Sequence, residues 1–156
     1  EMRYMPSDTV DAWVRAKETQ LADRNYDAAV AARGIELRRR LILELHRAGA
    51  GLLLGSDSPQ VFNVPGFSLH RELDVLVAAG LSPYDAMYTG TVAVAEFLGS
   101  NGGVVAVGRD ADLVLLDAKP LDDIRNSRRI HGVMLRGTWH GAAVLEAHIE
   151  RFSRDD

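Results

Sequence analysis

Residues 45–59 read Leu-His-Arg-Ala-Gly-Ala-Gly-Leu-Leu-Leu-Gly-Ser-Asp-Ser-Pro. The tail of an amphipathic helix, a glycine turn and an apolar run follow one another without interruption. The run then stops at an acid, Asp57, set among small turn-forming residues. Ala50 to Leu54 is apolar on both parities, as expected of a parallel strand buried on both faces. Helix, short glycine turn and buried strand make the αβ half of an α/β repeat. The acid at the tip has two readings. It is an Asx turn whose carboxylate bonds nearby backbone N–H groups, or it is a residue placed to do chemistry.

Upstream, Ser7 or Asp8 can cap a helix running through Val10, Trp13, Val14 and Lys17, with Asp11 suited to the positive end of the dipole. A second helix is expected over about 27–33 or continuing beyond it. Ile35, Leu37, Leu41, Ile42, Leu45 and Ala48 then form an apolar stripe that Gly49 ends. Downstream, Ser58 to Gly66 reads as a loop. Ser68 is the expected cap of a helix carrying Leu69, Leu73, Leu76 and Val77, stopped by Gly80. Ser82-Pro83-Tyr84-Asp85 is a strong helix start, with Met87, Thr91, Val94, Ala95 and Leu98 as its apolar face and Gly99 as its stop. From Gly102 the pattern turns to β. Runs on either side of Gly108-Arg109-Asp110 and of Arg136-Gly137 predict a small, mostly antiparallel unit over 103–147. The segment 145–156 is expected to be a short helix or a frayed tail.

Composition narrows the function. Apolar residues make up 47% of the 156, enough for a sizeable core, and the net charge of -4 gives no basic surface for nucleic acid. The clusters Arg38-Arg39-Arg40 and Arg128-Arg129 read as solvated faces or local ion pairs. No cysteine is present, so disulfides and thiolate chemistry are excluded, and any metal must be held by His, Asp or Glu. No stretch approaches the ~20 apolar residues of a membrane helix, and no signal-peptide pattern is present, so a cytoplasmic protein is expected. The chain begins at Glu1 and not at a methionine, which reads as a mature form or a piece of a longer chain.

One buried parallel strand is not a sheet. No convincing run of that type precedes Ala50, so the strand at 50–54 is expected to join a sheet supplied mostly from elsewhere. Glu1 to Pro6 are followed by a helix with Trp13, then by "LHRAGAGLLLGSDSP", "VPGFSLHREL" and "AAGLSPYDAM", and last by "VGRDADLVLLDAKPLDDIRN" and "GVMLRGTW". In these segments the chain resembles a known family, the metal-dependent amidohydrolases, in their imidazolonepropionase-like and Xaa-Pro-dipeptidase-like branch. The order and spacing of these segments are more specific than any one of them.

The resemblance implies an α/β fold: the C-terminal fragment of a (β/α)8 TIM-like barrel plus the C-terminal half of the family's small β-sandwich. The barrel segment is placed at 1–101, with its last strand at about 50–55, and the sandwich portion and tail at 102–156. Asp57 then occupies the position of a metal ligand that also takes a proton from the attacking water, at the C-terminal end of the last barrel strand. Ser58, His70 and Arg71 fall in segments that rim the substrate pocket. His70 also has a plain reading, as a brace for the helix it opens. Asp110 and Asp112 look metal-like by composition, but in the family their segment is a turn of the sandwich.

A divalent metal, zinc, is implied for the complete enzyme and none for this chain alone. The family's site also needs a His-x-His pair, further histidines and often a carboxylated lysine. The histidines here are His46, His70, His131, His140 and His148, none spaced i, i+2, and the lysines are Lys17 and Lys119. The leading expectation is the C-terminal part of a hydrolase of C–N bonds, acting on a small amide, cyclic amide or dipeptide-like substrate. Its partner is the missing N-terminal barrel portion; no nucleic acid or membrane is involved. Two alternatives stand beside it. One is a stand-alone, non-catalytic binding or assembly domain, a homo-oligomer that covers its open strand edges by self-association. The other is one half of a split hydrolase.

Overall fold

The computed structural model describes residues 1–153. Among the described residues five helices precede a three-stranded sheet and a sixth follows it: α1 (Ser7–Ala22), α2 (Ala28–Arg47), α3 (Phe67–Ala79), α4 (Pro83–Thr89), α5 (Val92–Leu98), β1 (Leu113–Leu116), β2 (Ile130–Leu135), β3 (Thr138–Gly141) and α6 (Ala142–Glu150). A 3-10 turn at Ile124–Arg128 leads into β2. The sheet has the order β1-β2-β3 with both pairs antiparallel, Leu113 facing Met134 and Val133 facing His140.

Local chemistry sets most of these boundaries. Asp27 opens α2, its carboxylate accepting from the N–H groups of Ala29 at 2.7 Å and Val30 at 3.1 Å. Ser82 caps α4 through the Asp85 N–H at 3.1 Å, with Pro83 as the first helical residue. Gly80 ends α3 at φ +113, and a Cβ there would sit 3.0 Å from a Leu43 methyl, so glycine serves both the left-handed turn and the close approach of α2.

The core lies among α2, α3, α4 and the 3-10 turn. Leu73, Leu76, Leu81, Ala86 and Ile124 are buried together, and Ile42, Leu43, Leu52, Leu54, Val77 and Met87 pack on them. Ile124 is thus one of the points at which the sheet-bearing half joins the helices.

Ala50–Leu54 is extended with no ladder among the described residues: Leu52, Leu54, Ser56 and Ser58 are half-buried while Leu53, Gly55 and Asp57 are exposed, the period-two pattern of an extended chain. The Leu54 N–H ties it to the rest of the fold, donating to the Thr89 carbonyl at 3.1 Å. A strand needs a neighbour, and the described residues supply none beside it. Other expectations are corrected. Val104–Val107 is not a strand; Val105 and Val107 are fully or almost fully exposed. The stripe on α2 is likewise uncovered at Ile35, Leu37, Leu41 and Leu45. Pro6, and neither Ser7 nor Asp8, precedes α1, and Gly66 precedes α3, so Ser68 is inside its helix. The helix expected from Ser82 to Leu98 breaks at Gly90-Thr91. The C-terminal segment is helical over Ala142–Glu150, and residues 154–156 of that expectation lie outside the described residues.

Candidate functional site around Asp57

Asp57 stands exposed at the end of the extended segment, with φ +52 in the left-handed region. Aspartate is among the few non-glycine residues that tolerate that conformation, because its short side chain can bond locally. Here the Gln60 side-chain amide donates to Asp57 Oδ2. Ser58 is half-buried and joined to Pro59 by a cis peptide bond.

The residue before Asp57 is held twice. Ser56 Oγ lies 2.8 Å from the hydroxyl of Ser68 on α3, and the Ser56 carbonyl accepts from Asn63 Nδ2 at 2.9 Å. Aromatic contacts fix the outside of the loop. Phe62 meets Trp13 of α1 edge-to-face at 5.9 Å, and Phe67 stacks on Tyr4 at 5.5 Å. The N-terminal helix thus serves as a backing for the loop that carries Asp57.

His70 and Arg71 lie on the first turns of α3 and face different neighbours. His70 Nδ1 and the hydroxyl of Ser127 are hydrogen-bonded at 3.0 Å. Burial lowers the imidazole pKa and the Arg128 guanidinium adds to this, partly opposed by Asp74 and Glu1. Arg128 is itself paired with Asp74, and Arg71 with Glu1. Glu72, between them in sequence, is pushed up by burial. His70 also lines an apolar groove of about 790 Å³ with Leu54, Leu73, Met87, Ser127 and Trp139, outside which Asp57, Ser58 and Arg71 lie. The four residues singled out in the sequence are therefore gathered on one loop and one helix, but they do not share a cavity.

The metal question has a direct answer for these residues. Among the described residues no three of His, Asp, Glu or Cys come together in a way that could hold an ion. The histidines are dispersed: His131 pairs with Asp117 at 2.9 Å, His46 with Asp85 at 3.7 Å, and His148 bonds the Val144 carbonyl at 2.8 Å. Asp112 accepts from the Arg136 N–H at 2.6 Å, so it braces the β2–β3 turn. Asp57 alone does not make a metal centre, because one carboxylate leaves most of the coordination sphere unfilled.

Gln60, Asn63 and Ser68 were not legible as site residues. Ser68 stands two residues after Gly66 at a helix start and reads as a cap. Only its burial, at 2% exposure, together with the hydroxyl opposite, reveals another role.

The amidohydrolase family model matches residues 4–140. The chain belongs to the amidohydrolase family. Among solved structures, it is similar to a provisionally assigned prolidase from Bifidobacterium longum, with 32% identity, a TM-score of 0.58, and coverage of 71% of this chain and 29% of that one. It is also similar to the bottromycin amidohydrolase, with 26% identity, a TM-score of 0.72, and coverage of 97% of this chain and 33% of that one. A Xaa-Pro dipeptidase with bound methionine, at 19% identity and a TM-score of 0.61, shares the fold over 86% of this chain and 34% of its own. The chain therefore spans about a third of the length of these relatives. No curated protein matches it.

Proposed function

We propose that this chain is the C-terminal portion of a metal-dependent hydrolase of C–N bonds, in the imidazolonepropionase-like and Xaa-Pro-dipeptidase-like branch of its family. In this reading residues 50–55 are the last strand of a (β/α)8 barrel, and the sheet at 113–141 belongs to a β-sandwich completed elsewhere. The family match continues through Asp57, and Asp57 ends an extended segment with its carboxylate exposed; that single observation carries the reading. Uncovered apolar positions on α2, and at Leu53, Val105 and Val107, support a larger body around the chain.

The substrate is a small amide, cyclic amide or dipeptide-like molecule. In the complete protein a divalent metal, zinc, supplies an activated water, and its remaining ligands come from outside these residues. Asp57 contributes a carboxylate at the strand end, and Ser58, His70 and Arg71 belong to the pocket wall. The same uncovered apolar positions also suit one half of a split hydrolase, in which the complement is a separate chain.

The test is made on the longest polypeptide that contains this sequence, or on this chain mixed with its complement. It is expected to hydrolyse members of a panel of dipeptides and N-acyl amino acids, and a chelator is expected to stop it. Asp57→Asn, which keeps the tolerance for positive φ, is expected to lower kcat by at least ~10²-fold, the scale of losing a positioned acid–base group. Hydrolysis undiminished in Asp57→Asn would overturn the role given to this residue. A failure of the complete protein to cleave any C–N substrate would overturn the reading as a whole.

A further inference from the structure

We infer that Ser68 and Asn63 are positioning residues for the Asp57 carboxylate, acting through Ser56. The catalytic consequence rests on the hydrolase reading above, whereas the clamp itself rests on geometry alone. Ser68 is 2% exposed, as buried as the core, yet it is polar. A serine inside a helix commonly satisfies its hydroxyl on the carbonyl one turn back. Here the Ser68 hydroxyl turns away from that carbonyl, on Val64, and lies 2.8 Å from the hydroxyl of Ser56. Asn63 approaches the same residue from the loop side, its amide donating to the Ser56 carbonyl at 2.9 Å. Asn63 is in turn fixed by its own N–H, which donates to the Gln60 carbonyl at 2.8 Å, and Gln60 is the residue whose side chain holds Asp57.

Side chain and main chain of residue 56 are thus both pinned next to a residue in the left-handed region. Rotation about the Ser56 backbone carries the Asp57 side chain with it, so a change in the dihedrals of Ser56 displaces the carboxylate directly. Neither Ser68 nor Asn63 needs to reach a substrate for its loss to be felt at the carboxylate. A misplacement of about 1 Å at a reacting group can cost ~10²-fold in rate.

Two measurements test this separately. In amide hydrogen exchange on the 156-residue chain, Ser68→Ala and Asn63→Ala are expected to speed exchange about tenfold at the hydrogen-bonded amides that flank the loop, Leu54 and Asn63, which donate to the Thr89 and Gln60 carbonyls, leaving amides near Leu76 and Leu81 unchanged, as a local opening does. Combining Ser56→Ala with Ser68→Ala should add nothing to either alone, whereas Ser56→Thr, which keeps the hydroxyl, should restore slow exchange. Exchange unchanged in the loop, or raised equally in the core, overturns the clamp. In the active longer protein, Ser68→Ala and Asn63→Ala should lower kcat ~10–100-fold with KM within about twofold; a change in KM alone overturns the positioning role. A complete protein that hydrolyses nothing defeats the hydrolase reading, and the exchange result still decides the clamp.

Discussion

Replacing Gly132 by alanine puts a methyl group where the sheet has no room for it. Gly132 is in the middle of β2, opposite Gly141, and its face is covered by the indole of Trp139 from β3. A Cβ built there comes within 2.5 Å of Trp139 Cη2, closer still to Cζ2, and 2.8 Å from the His140 carbonyl oxygen. The indole can swing away, but the carbonyl belongs to the ladder and cannot move without loosening the pairing. Overpacking of this kind costs ~1–3 kcal/mol. Alanine regains ~0.5–1 kcal/mol over glycine through the lower entropy of the unfolded chain. On central values the clash wins, leaving a net loss of roughly 1 kcal/mol. Urea unfolding followed by circular dichroism should show this in the midpoint, and thermal unfolding should fall by about 2–4 °C for a chain of this size. Trp139 fluorescence should shift to the red as the ring is pushed into water, while Trp13, packed on Phe62 far along the chain, stays a fixed background. A Gly132→Ala variant as stable as the wild type, with unchanged emission, would refute the packing argument.

Gly34 is the opposite case: it is within α2, and a Cβ there meets nothing within 4 Å. Gly34→Ala is expected to raise stability by ~0.5–1 kcal/mol in the same urea assay, and a loss of stability would count against this placement of α2. His70 makes stability fall with acid. Its folded pKa lies below the ordinary ~6.5, so the folded state binds fewer protons, and the contribution present above that value is lost as pH falls through it. Glu72 is shifted the other way and acts in the carboxylate range, its contribution present below ~4.3 and lost as pH rises, so between pH 7.5 and 5.5 the His70 effect is the one expected. His70→Gln, which can still bond Ser127, should flatten the change in urea midpoint over that interval; an undiminished slope would sink the assignment. Calorimetric titration of this chain alone with zinc should show no tight stoichiometric site, because Asp57 lacks companion ligands among the described residues. A tight 1:1 isotherm would overturn that.

The parts of the fold written in the sequence are those governed by near neighbours. Ser82-Pro83-Asp85 sets the start of α4, Gly80 and Gly99 set the ends of α3 and α5, and Arg136-Gly137 sets the β2–β3 turn. What could not be read is what depends on a distant or absent partner. The valines at 104–107 carry strand propensity, but a ladder requires a second strand, and propensity says nothing about whether one is present. The break at Gly90-Thr91 escaped the helix pattern because Met87, Val94 and Leu98 keep the apolar spacing across it. It becomes intelligible only in three dimensions, where a Cβ on Gly90 would meet Leu54 Cδ2 at 2.6 Å. For the site the divide is the same. Asp57 was marked by its place after the apolar run, whereas Ser68 acquires its partner only when α3 folds back over the loop.

That return of α3 also bears on the order in which the chain assembles. The helix closes contacts of very different reach: Ser68 to Ser56 spans 12 residues, and His70 to Ser127 spans 57. Each doubling of a flexible loop adds only ~0.6 kcal/mol of closure entropy, so the longer closure costs about 1.3 kcal/mol more. That is close to a tenfold difference in closure probability. The shorter closure is therefore expected to form first, docking the Asp57 loop on a helical layer before the sheet arrives. The chemistry-bearing loop would then be among the early structures of folding, and the β unit would be added to a layer that already holds its acid in place.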